Sequence, residues 1–312
     1  MAAQAADPIV IDAAGVRQAL TYAAAIPVVR EAMIALSDGR VRQHLRSFIG
    51  LGEGRTFAIM PAALSADGVF GAKLVSVFHD GTGRKAHEGL VVIFDGATGA
   101  PVCLADAAEV TAIRTAAASA VATEALAAPG ARSLAILGLG KQALAHLEAL
   151  RLVRPLEDIR VWGRDFGRAQ AFAERQGLRA CETVGEAVDG AEIICTVTGA
   201  VDPILEGPLV SPGAHVNAVG SSGPGQAEID TDLVARSRFI VDHREHVLAH
   251  GGEFLRSGLP ADHIAAEIGE VLAGAKPGRT AADQITVYKS LGHAAQDLAV
   301  TDWLYRQKDK RP

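Results

Sequence analysis

A short segment containing two glycines carries the strongest chemical signal in this sequence. Residues 134–143 read LAILGLGKQA, an apolar run followed by a GxGxxA turn at the start of a helical segment. In such a turn the first glycine allows tight bending, and the second lets the backbone approach a pyrophosphate. The free amides of the helix N-terminus donate to the phosphates. The segment predicts dinucleotide binding through Gly138, Gly140, Lys141 and Gln142, and the alternative is a glycine turn with a purely structural role.

The residues after the next apolar run bear on which dinucleotide binds. This run, at 159–162, is followed by Gly163, about 20 residues beyond the glycine motif. Proteins that bind NAD place an acidic residue at this position. Proteins that bind NADP avoid the negative charge and supply an arginine. Gly163 is followed by Arg164, so the pattern favours NADP over NAD. If the strand continues for two more residues, Asp165 supplies the acid and the preference reverses.

One lysine interrupts an apolar run in the first third of the chain. Lys73 lies within residues 69–78, and in a strand Ala72 and Leu74 would face the opposite side. An edge strand protected by an outward lysine would give this pattern. A functional lysine, whose pKa falls readily on burial, would give it too. The residues alone leave both interpretations open.

Composition excludes several classes of protein. The chain has 312 residues, 49% of them hydrophobic and 21% charged, which is typical of a globular protein with roughly two domains. Its net charge of −6 gives no basic surface for nucleic acid or an anionic membrane. Apolar runs such as 90–94 are far shorter than the roughly 20 residues that span a bilayer. The first ten residues resemble no export signal, so we expect a cytoplasmic protein.

The elements that must position the candidate residues change character along the chain. A helix over 16–36 and strands without intervening helices predict an α+β domain with an antiparallel or mixed sheet. From residue 133, strands alternate with helices, which predicts a doubly wound parallel sheet with helices on both faces, a Rossmann domain. A last helix, 294–305, has too few apolar positions to stand alone, and we expect it to return to the first domain. The predicted strands are 56–60, 71–78, 89–94, 134–137, 159–162, 193–197, 216–219, 239–241 and 285–288.

Several segments together resemble the ornithine cyclodeaminase and mu-crystallin family, in the same order from about residue 46 to residue 297. The matching segments are Met60-Pro61, GAKLV at 71–75, HEGLVVIFD at 87–95, residues 104–119 with Arg114 and Thr115, the glycine loop, NAVG at 217–220 and ITVYKSLG at 285–292. The resemblance implies a homodimer with a discontinuous α+β substrate and dimerisation domain (1–118 and 291–312) and an NAD(P)-binding Rossmann domain (119–290). Members of this family carry out hydride chemistry at the carbon next to a carboxylate.

The resemblance also assigns site residues. Arg46, Lys73 and Arg114 match positions that bind the substrate carboxylate, and Lys73, Ser222 and His87 are the candidates for proton transfer. Taken alone, Arg114 would be a solvated helix residue and Arg46 a surface residue beside Arg40 and Arg42. Thr115 is expected to cap the start of a helix and present donors to a phosphate. The implied cofactor-binding residues are Arg114, Thr115, Gly138, Gly140, Lys141, Gln142, Gly163, Arg164, Thr198, Val219, Ser290 and Gly292.

Ser222 is a departure from part of this family. Members that deaminate ornithine or oxidise alanine carry aspartate there, whereas the mu-crystallin branch tolerates serine. A carboxylate takes and returns protons near neutral pH, and a serine without an adjacent base does not. Together with the preference for NADP, this predicts an NAD(P)H-dependent oxidoreductase that reduces small cyclic 2-imino acids, above all 1-pyrroline-2-carboxylate to L-proline, and also 1-piperideine-2-carboxylate to L-pipecolate.

Two rival functions are compatible with the same residues. One is an amino acid dehydrogenase of the alanine type or an ornithine cyclodeaminase, and the other is an NADPH-dependent binding protein like the mu-crystallins. Neither a membrane nor a nucleic acid partner is expected. No metal is expected either: His243, His246 and His250 lack an HExxH pattern and are interpreted as surface residues. Cys103, Cys181 and Cys195 form no CxxC pair and are interpreted as buried small residues.

Overall fold

The computed structural model describes residues 7–65, 68–79 and 85–309, with only the backbone of 79, 85–87 and 309. It divides the chain into two units, residues 1–114 with 293–312 and residues 115–292. These boundaries lie close to the predicted ones at 118 and 290. The assignment of the units to substrate and nucleotide stays a prediction.

The first unit is built on a mixed sheet with the order β1-β7-β6-β5-β4-β2, in which β3 also pairs with β4. Only β1 and β7 run parallel; the other described pairs are antiparallel. The C-terminal helix α11 packs against α2 and strands β4 to β7. The strands are β1 (Ile9–Ile11), β2 (Arg42–Gln43), β3 (Ser47–Gly52), β4 (Arg55–Ala63), β5 (Phe70–His79), β6 (Lys85–Phe94) and β7 (Pro101–Asp106). The helices are α1 (Ala13–Ala19), α2 (Tyr22–Ser37), α3 (Ala107–Leu126), which continues into the second unit, and α11 (Ala294–Asp309).

The single helix predicted over 16–36 is wrong, because the chain breaks it in two. Asp12 caps α1 by accepting a hydrogen bond from the Gly15 amide, and Thr21 caps α2 by accepting one from the Ala24 amide. Side chains that accept from amides at a helix start favour a new N-terminus at that point. The two helices meet at 90°. Within the described ranges, no single helix is long and apolar enough to cross a membrane. Helices α1 and α2 meet the length and composition criteria only when they are counted as one bent pair.

The second unit contains an eight-stranded parallel sheet with the order β10-β9-β8-β11-β12-β15-β13-β14. Strands β9 and β10 extend the sheet on one side of β8, and β11 and β12 extend it on the other, so the strand order reverses between β8 and β11. The strands are β8 (Ser133–Leu137), β9 (Asp158–Trp162), β10 (Arg179–Cys181), β11 (Ile193–Thr196), β12 (His215–Ala218), β13 (Arg238–Val241), β14 (Ile264–Glu267) and β15 (Thr286–Lys289). The helices are α4 (Lys141–Leu150), α5 (Phe166–Gln176), α6 (Val184–Val188), α7 (Thr231–Arg236), α8 (Arg244–His250), α9 (Gly252–Ser257) and α10 (Ile268–Leu272).

This strand order is that of a Rossmann fold, and the predicted fold class is confirmed. The central strands are buried on both faces: all four residues of β11 and of β12 are buried, as a doubly covered parallel sheet requires. In open parallel sheets, ligands bind beyond the carboxyl ends of the strands where the strand order reverses. The carboxyl ends of β8 and β11 are therefore the expected place for a ligand in this unit.

Candidate active site

Lys73 lies at the centre of the first sheet. Its strand β5 is paired on both sides, with β4 and with β6, so the interpretation as an edge strand is wrong. The side chain is only 6% exposed. Its ammonium group donates to Thr111 Oγ1 on α3 at 2.5 Å and to Asp297 Oδ1 on α11 at 3.3 Å. The strand and two helices thus hold this lysine inside the unit.

Arg114 reaches the same carboxylate from α3. Its Nε donates to Asp297 Oδ1 at 2.9 Å, and its Nη1 donates to Gln296 Oε1 at 3.0 Å. Arg114 is buried, so the interpretation as a solvated helix residue is wrong. One carboxylate oxygen is shared by two cations. We call Lys73, Arg114, Gln296 and Asp297 the cationic cluster.

The cluster carries surplus positive charge in a buried place. Two cations face a single carboxylate, and Arg46, half-buried in the loop between β2 and β3, adds to the field at Lys73. Burial lowers the pKa of Lys73 to about 8; Asp297 raises this pKa, while Arg114 and Arg46 lower it. An anion bound here would offset the repulsion among the three cations.

Hydrogen-bonding capacity is left over in the cluster. Among the described residues, Asp297 Oδ2 and Gln296 Nε2 are buried without a hydrogen-bond partner. Lys73 has three protons and, in the described part of the chain, two acceptors. A buried polar atom without a partner costs about 1–3 kcal/mol, so such atoms together mark a place for a polar ligand or ordered water. Gln296 and Asp297 were not predicted from the sequence, because the last helix was interpreted from its apolar positions alone.

The glycine loop of the second unit has the geometry of a phosphate-binding turn. Gly138 has a φ of 139°, and a Cβ there would lie 2.8 Å from the carbonyl oxygen of Val197, so only glycine fits. A Cβ on Gly140, by contrast, would meet no atom within 4 Å. Ala143 is fully buried against the sheet, as the motif requires. The second glycine is therefore open to a ligand.

Other donors and acceptors near this turn fit a nucleotide. Lys141 is the exposed first residue of α4, and Gln142 Oε1 is buried without a partner in the described part of the chain. An open cradle at a helix N-terminus beside an unused acceptor suits the phosphates and hydroxyls of a dinucleotide. A bound nicotinamide dinucleotide would supply or accept a hydride.

Strand β9 ends before it reaches an acidic residue. The strand stops at Trp162, and Asp165 caps α5, its Oδ1 accepting from the Arg168 amide at 3.0 Å. Because the strand does not extend to Asp165, this acid does not lie directly at the strand end, where it would favour NAD. Arg164 is exposed at this position. A Cβ on Gly163 would lie 2.3 Å from Leu139 Cδ1, so a side chain at 163 would require the Leu139 side chain of the glycine loop to move.

Thr115 does not begin a helix, and the prediction of a helix cap there is wrong. Helix α3 starts at Ala107, where Asp106 Oδ1 accepts from the Glu109 amide at 2.8 Å. The alanine-rich sequence favours a helix from that cap onward. The amide of Thr115 therefore lies inside a helix, where it is committed to the backbone ladder. Its Oγ1 is buried without a partner among the described residues.

The loops after β11 and β12 are joined by one buried carboxylate. Glu228, fully buried, accepts from Thr196 Oγ1 at 2.7 Å and from the Thr198 amide and hydroxyl at 2.6 and 2.7 Å. It also accepts from the Gly220 amide at 2.5 Å. Burial raises the pKa of Glu228, while the hydrogen bonds from Thr198 act in the opposite direction. The predicted cofactor-binding residue Thr198 is thus held in place by the buried carboxylate of Glu228.

The other predicted residues of this unit lie on the loops beyond β12 and β15. Val219 is buried and Ser222 is exposed, both after β12. Ser290 is buried directly after β15, and Gly292 donates its amide to Asp242 Oδ2 at 2.8 Å. The strand order places the carboxyl ends of β12 and β15 side by side. Their roles in binding stay predictions.

The sequence matches the ornithine cyclodeaminase/mu-crystallin family over residues 6–311. The chain belongs to this family. It is 40% identical over 273 residues to the ketimine reductase mu-crystallin of Mus musculus, covering 86% of each chain. A solved structure of Thermococcus litoralis Delta(1)-pyrroline-2-carboxylate reductase, in complex with NADH and L-proline, superposes with a TM-score of 0.89 at 29% identity, covering 96% of each chain. An archaeal alanine dehydrogenase dimer with bound NAD gives a TM-score of 0.90 at 27% identity, covering 98% of each.

Membership of the ornithine cyclodeaminase/mu-crystallin family confirms two predictions made from the sequence. The resemblance was correct, and the relatives are oxidoreductases, as predicted for this chain. The three cysteines are buried and unpaired, as expected.

The histidines give a mixed outcome. His87 lies on β6 opposite Val77, but its side chain falls outside the described residues, so its role is left as a prediction. His246 is buried, which contradicts its interpretation as a surface residue. Its ring packs edge-on against the ring of His243, with 5.1 Å between the ring centroids. Within the described part of the chain, no group of three or more histidine, cysteine or acidic side chains is arranged to hold a metal.

Proposed function

We propose that this protein is an NAD(P)H-dependent reductase of small cyclic 2-imino acids, with 1-pyrroline-2-carboxylate as substrate and L-proline as product. The observation that carries the proposal is the cationic cluster, where Lys73 and Arg114 share one carboxylate oxygen and leave surplus positive charge. A 2-imino acid brings the single carboxylate that such a site requires. The names of the murine ketimine reductase and of the Thermococcus pyrroline-2-carboxylate reductase support the C=N bond as the reacting group.

Each cation has a part suited to its chemistry. Arg114 presents a planar group of donors that can hold a carboxylate by two parallel hydrogen bonds. Arg46 adds charge at the same place. Lys73 is an ammonium below pH about 8 and can donate its proton to the imine nitrogen while hydride is added at C2. A bound water or an already protonated iminium is the alternative source of that proton. Ser222, another predicted candidate for proton transfer, lies on the loop after β12.

We further propose NADP(H) as the preferred cofactor. Arg164 directly follows the end of β9, and the carboxylate of Asp165 is occupied in capping α5. An exposed arginine directly after this strand, followed by an acid that caps the next helix through Oδ1, favours a 2′-phosphate over a 2′-hydroxyl. The Thermococcus structure is a complex with NADH, so the preference has to be measured on this chain.

A second copy of this chain is the proposed partner. Strand β3 exposes Phe48 (53%), Ile49 (51%) and Leu51 (47%), and among the described strands it pairs only with β4. Contiguous exposed apolar residues typically mark a protein interface. The archaeal alanine dehydrogenase neighbour is described as a dimer.

The test is oxidation of NADPH or NADH by the purified protein with 1-pyrroline-2-carboxylate, followed at the absorbance of the reduced nicotinamide. The matched control is 1-pyrroline, which has the same ring and C=N bond but no carboxylate. We expect turnover with the carboxylate and almost none without it. The six-membered 1-piperideine-2-carboxylate is also expected to react, because one methylene is discriminated by only about 1–3 kcal/mol.

Three results would redirect the proposal. Turnover of pyruvate that depends on ammonia would indicate an alanine-type dehydrogenase, and proline formed from ornithine would indicate a cyclodeaminase. Tight NADPH binding without turnover on any imine would favour a binding protein.

A further inference from the structure

The second unit contains a buried charged network that the proposed reaction does not use directly. Lys289, the last residue of the central strand β15, is completely buried, as is its partner Glu253 on α9. The Lys289 ammonium donates to Ser221 O at 2.8 Å, to Ser221 Oγ at 2.7 Å and to Glu253 Oε1 at 3.0 Å. All three protons of this lysine therefore have acceptors.

The network continues from Glu253 to the loops. Glu253 Oε1 also accepts from the hydroxyl of Ser221 and from the amide of Glu228 at 3.2 Å. Glu228 in turn accepts from groups on Thr198 and Gly220. The chain of contacts runs from the centre of the sheet to the loops after β11 and β12. We call Lys289, Glu253 and Glu228 the loop network.

Backbone packing shows that these two loops have little freedom to rearrange. A Cβ on Gly220 would lie 2.1 Å from the carbonyl oxygen of Thr198, so the loops touch backbone to backbone. On the other side, a Cβ on Gly252 would lie 2.0 Å from the carbonyl oxygen of Gln226. Glycine is needed at both contacts. The carboxylates therefore bind loops that are already pressed together.

A buried lysine and two buried glutamates are a costly way to join elements that apolar side chains could also join. Ser221, which the lysine holds by both its carbonyl and its hydroxyl, immediately precedes the exposed Ser222. The geometry points to Lys289 and Glu253 as positioning residues that fix the loop at 219–223 for the nicotinamide end of the cofactor. This inference rests on the proposed function, and it assigns the two residues no contact with cofactor or substrate.

The inference is tested with the double variant Lys289→Met with Glu253→Gln, which removes both charges of the pair while Glu228 keeps its hydrogen bonds from Thr196, Thr198 and Gly220. The first readout is hydrogen exchange of residues 219–223 without ligand, which we expect to accelerate. The second is binding of NADPH against binding of 2′,5′-ADP, a ligand with the adenine end alone. We expect NADPH to bind about tenfold more weakly, equivalent to about 1.4 kcal/mol, and 2′,5′-ADP to bind within about twofold of the unmodified protein.

The matched control is Lys276→Met, which breaks a lysine–glutamate pair of the same unit, with Glu270, where the lysine is 40% exposed. It should leave both readouts unchanged. If the double variant does not fold, Ser221→Ala gives the milder test, because it removes one acceptor of Lys289 and keeps both charges. It should change both readouts in the same direction by a smaller amount.

Equal weakening of NADPH and 2′,5′-ADP, or unchanged exchange of residues 219–223 in a folded variant, would overturn the inference. The failure of the proposed function looks different. In that case the unmodified protein turns over no imine, while the exchange measurement, which needs no ligand, still reports whether the network holds the loop.

Discussion

Two buried lysine–carboxylate pairs, one in each unit, are built from the same residue types and differ in their surroundings. In the cationic cluster, Lys73 and Arg114 compete for one oxygen of Asp297, and the second oxygen has no partner among the described residues. In the loop network, each proton of Lys289 meets an oxygen of Ser221 or Glu253. Each pair leaves one carboxylate oxygen without a hydrogen bond among the described residues. Within these residues the lysines differ: Lys73 has fewer acceptors than protons and a second cation beside it, whereas Lys289 has an acceptor for every proton.

This difference indicates how to separate a ligand site from a scaffold. A buried lysine whose protons all have acceptors has no donor left for a ligand, so its value lies in fixing the backbone around it. A buried lysine with a donor left over and surplus positive charge around it is stabilised when an anion arrives. Burial and residue type are alike in the two places, and the acceptors of each lysine and the balance of charge around it distinguish them.

The largest expected effect is on stability and belongs to the Lys289–Glu253 pair. Replacing Lys289 by Met alone leaves Glu253 buried without its counter-ion, which typically costs about 3–5 kcal/mol. Denaturant unfolding of Lys289→Met measures this loss. Lys276→Met, at the exposed pair, should cost only about 0–1 kcal/mol. A loss below about 1 kcal/mol in Lys289→Met would contradict the distinction.

Lys73→Met should give the opposite division of effects. Asp297 keeps Arg114 as its counter-ion, so the free energy of unfolding should change by less than about 1.5 kcal/mol. The value of kcat/KM for the imino acid should fall about 10²–10³-fold, the usual loss when one charged donor is removed from a reaction site. A folded variant that retains full activity would remove Lys73 from the proposed site.

The pH dependence of reduction should sharpen the assignment of the proton. If ammonium Lys73 is required, kcat/KM declines as pH rises through about 8, since the protonated form exists below this pKa. Asp297 raises the pKa of Lys73, so Asp297→Asn should move that decline to lower pH. The measurement is a pH profile of both proteins from mildly acidic to alkaline pH. A decline at the same pH in the unmodified protein and in Asp297→Asn would show that a group other than Lys73 titrates.

The smallest expected effect concerns the cofactor. Arg164→Ala should reduce the preference for NADPH over NADH by about tenfold, the value of one charged hydrogen bond at an exposed position. The ratio of kcat/KM for the two cofactors measures it. Arg175→Ala is the control, because Arg175 is an exposed residue in the last turn of α5, and it should not alter this ratio.

Much of the second unit could be predicted from the sequence because its signals are local. The GxGxxA turn, the strand before it and the helix after it lie within about 20 residues, the scale on which motif and periodicity act. Lys73 could be singled out because it interrupts an apolar strand. The sequence did not decide whether this strand was an edge, since pairing on both sides depends on β4 and β6.

The partners of these residues were out of reach for a different physical reason. Asp297 joins Lys73 across 224 residues, and Glu253 joins Lys289 across 36. Such pairs leave no spacing pattern, because the fold and not the local chain brings them together. The error at Thr115 was of another kind: the alanine-rich run favours a helix from its first residue, and the cap lies at Asp106.

The contact between Gly163 and Leu139 has a consequence for changing the coenzyme of this protein. The usual exchange would install an aspartate at the end of β9, yet any side chain at 163 would collide with the leucine between the two glycines of the turn. The two positions are therefore coupled. An acid at 163 requires the Leu139 side chain to rotate away, and a smaller residue at 139 removes that requirement, so the two positions are best changed together.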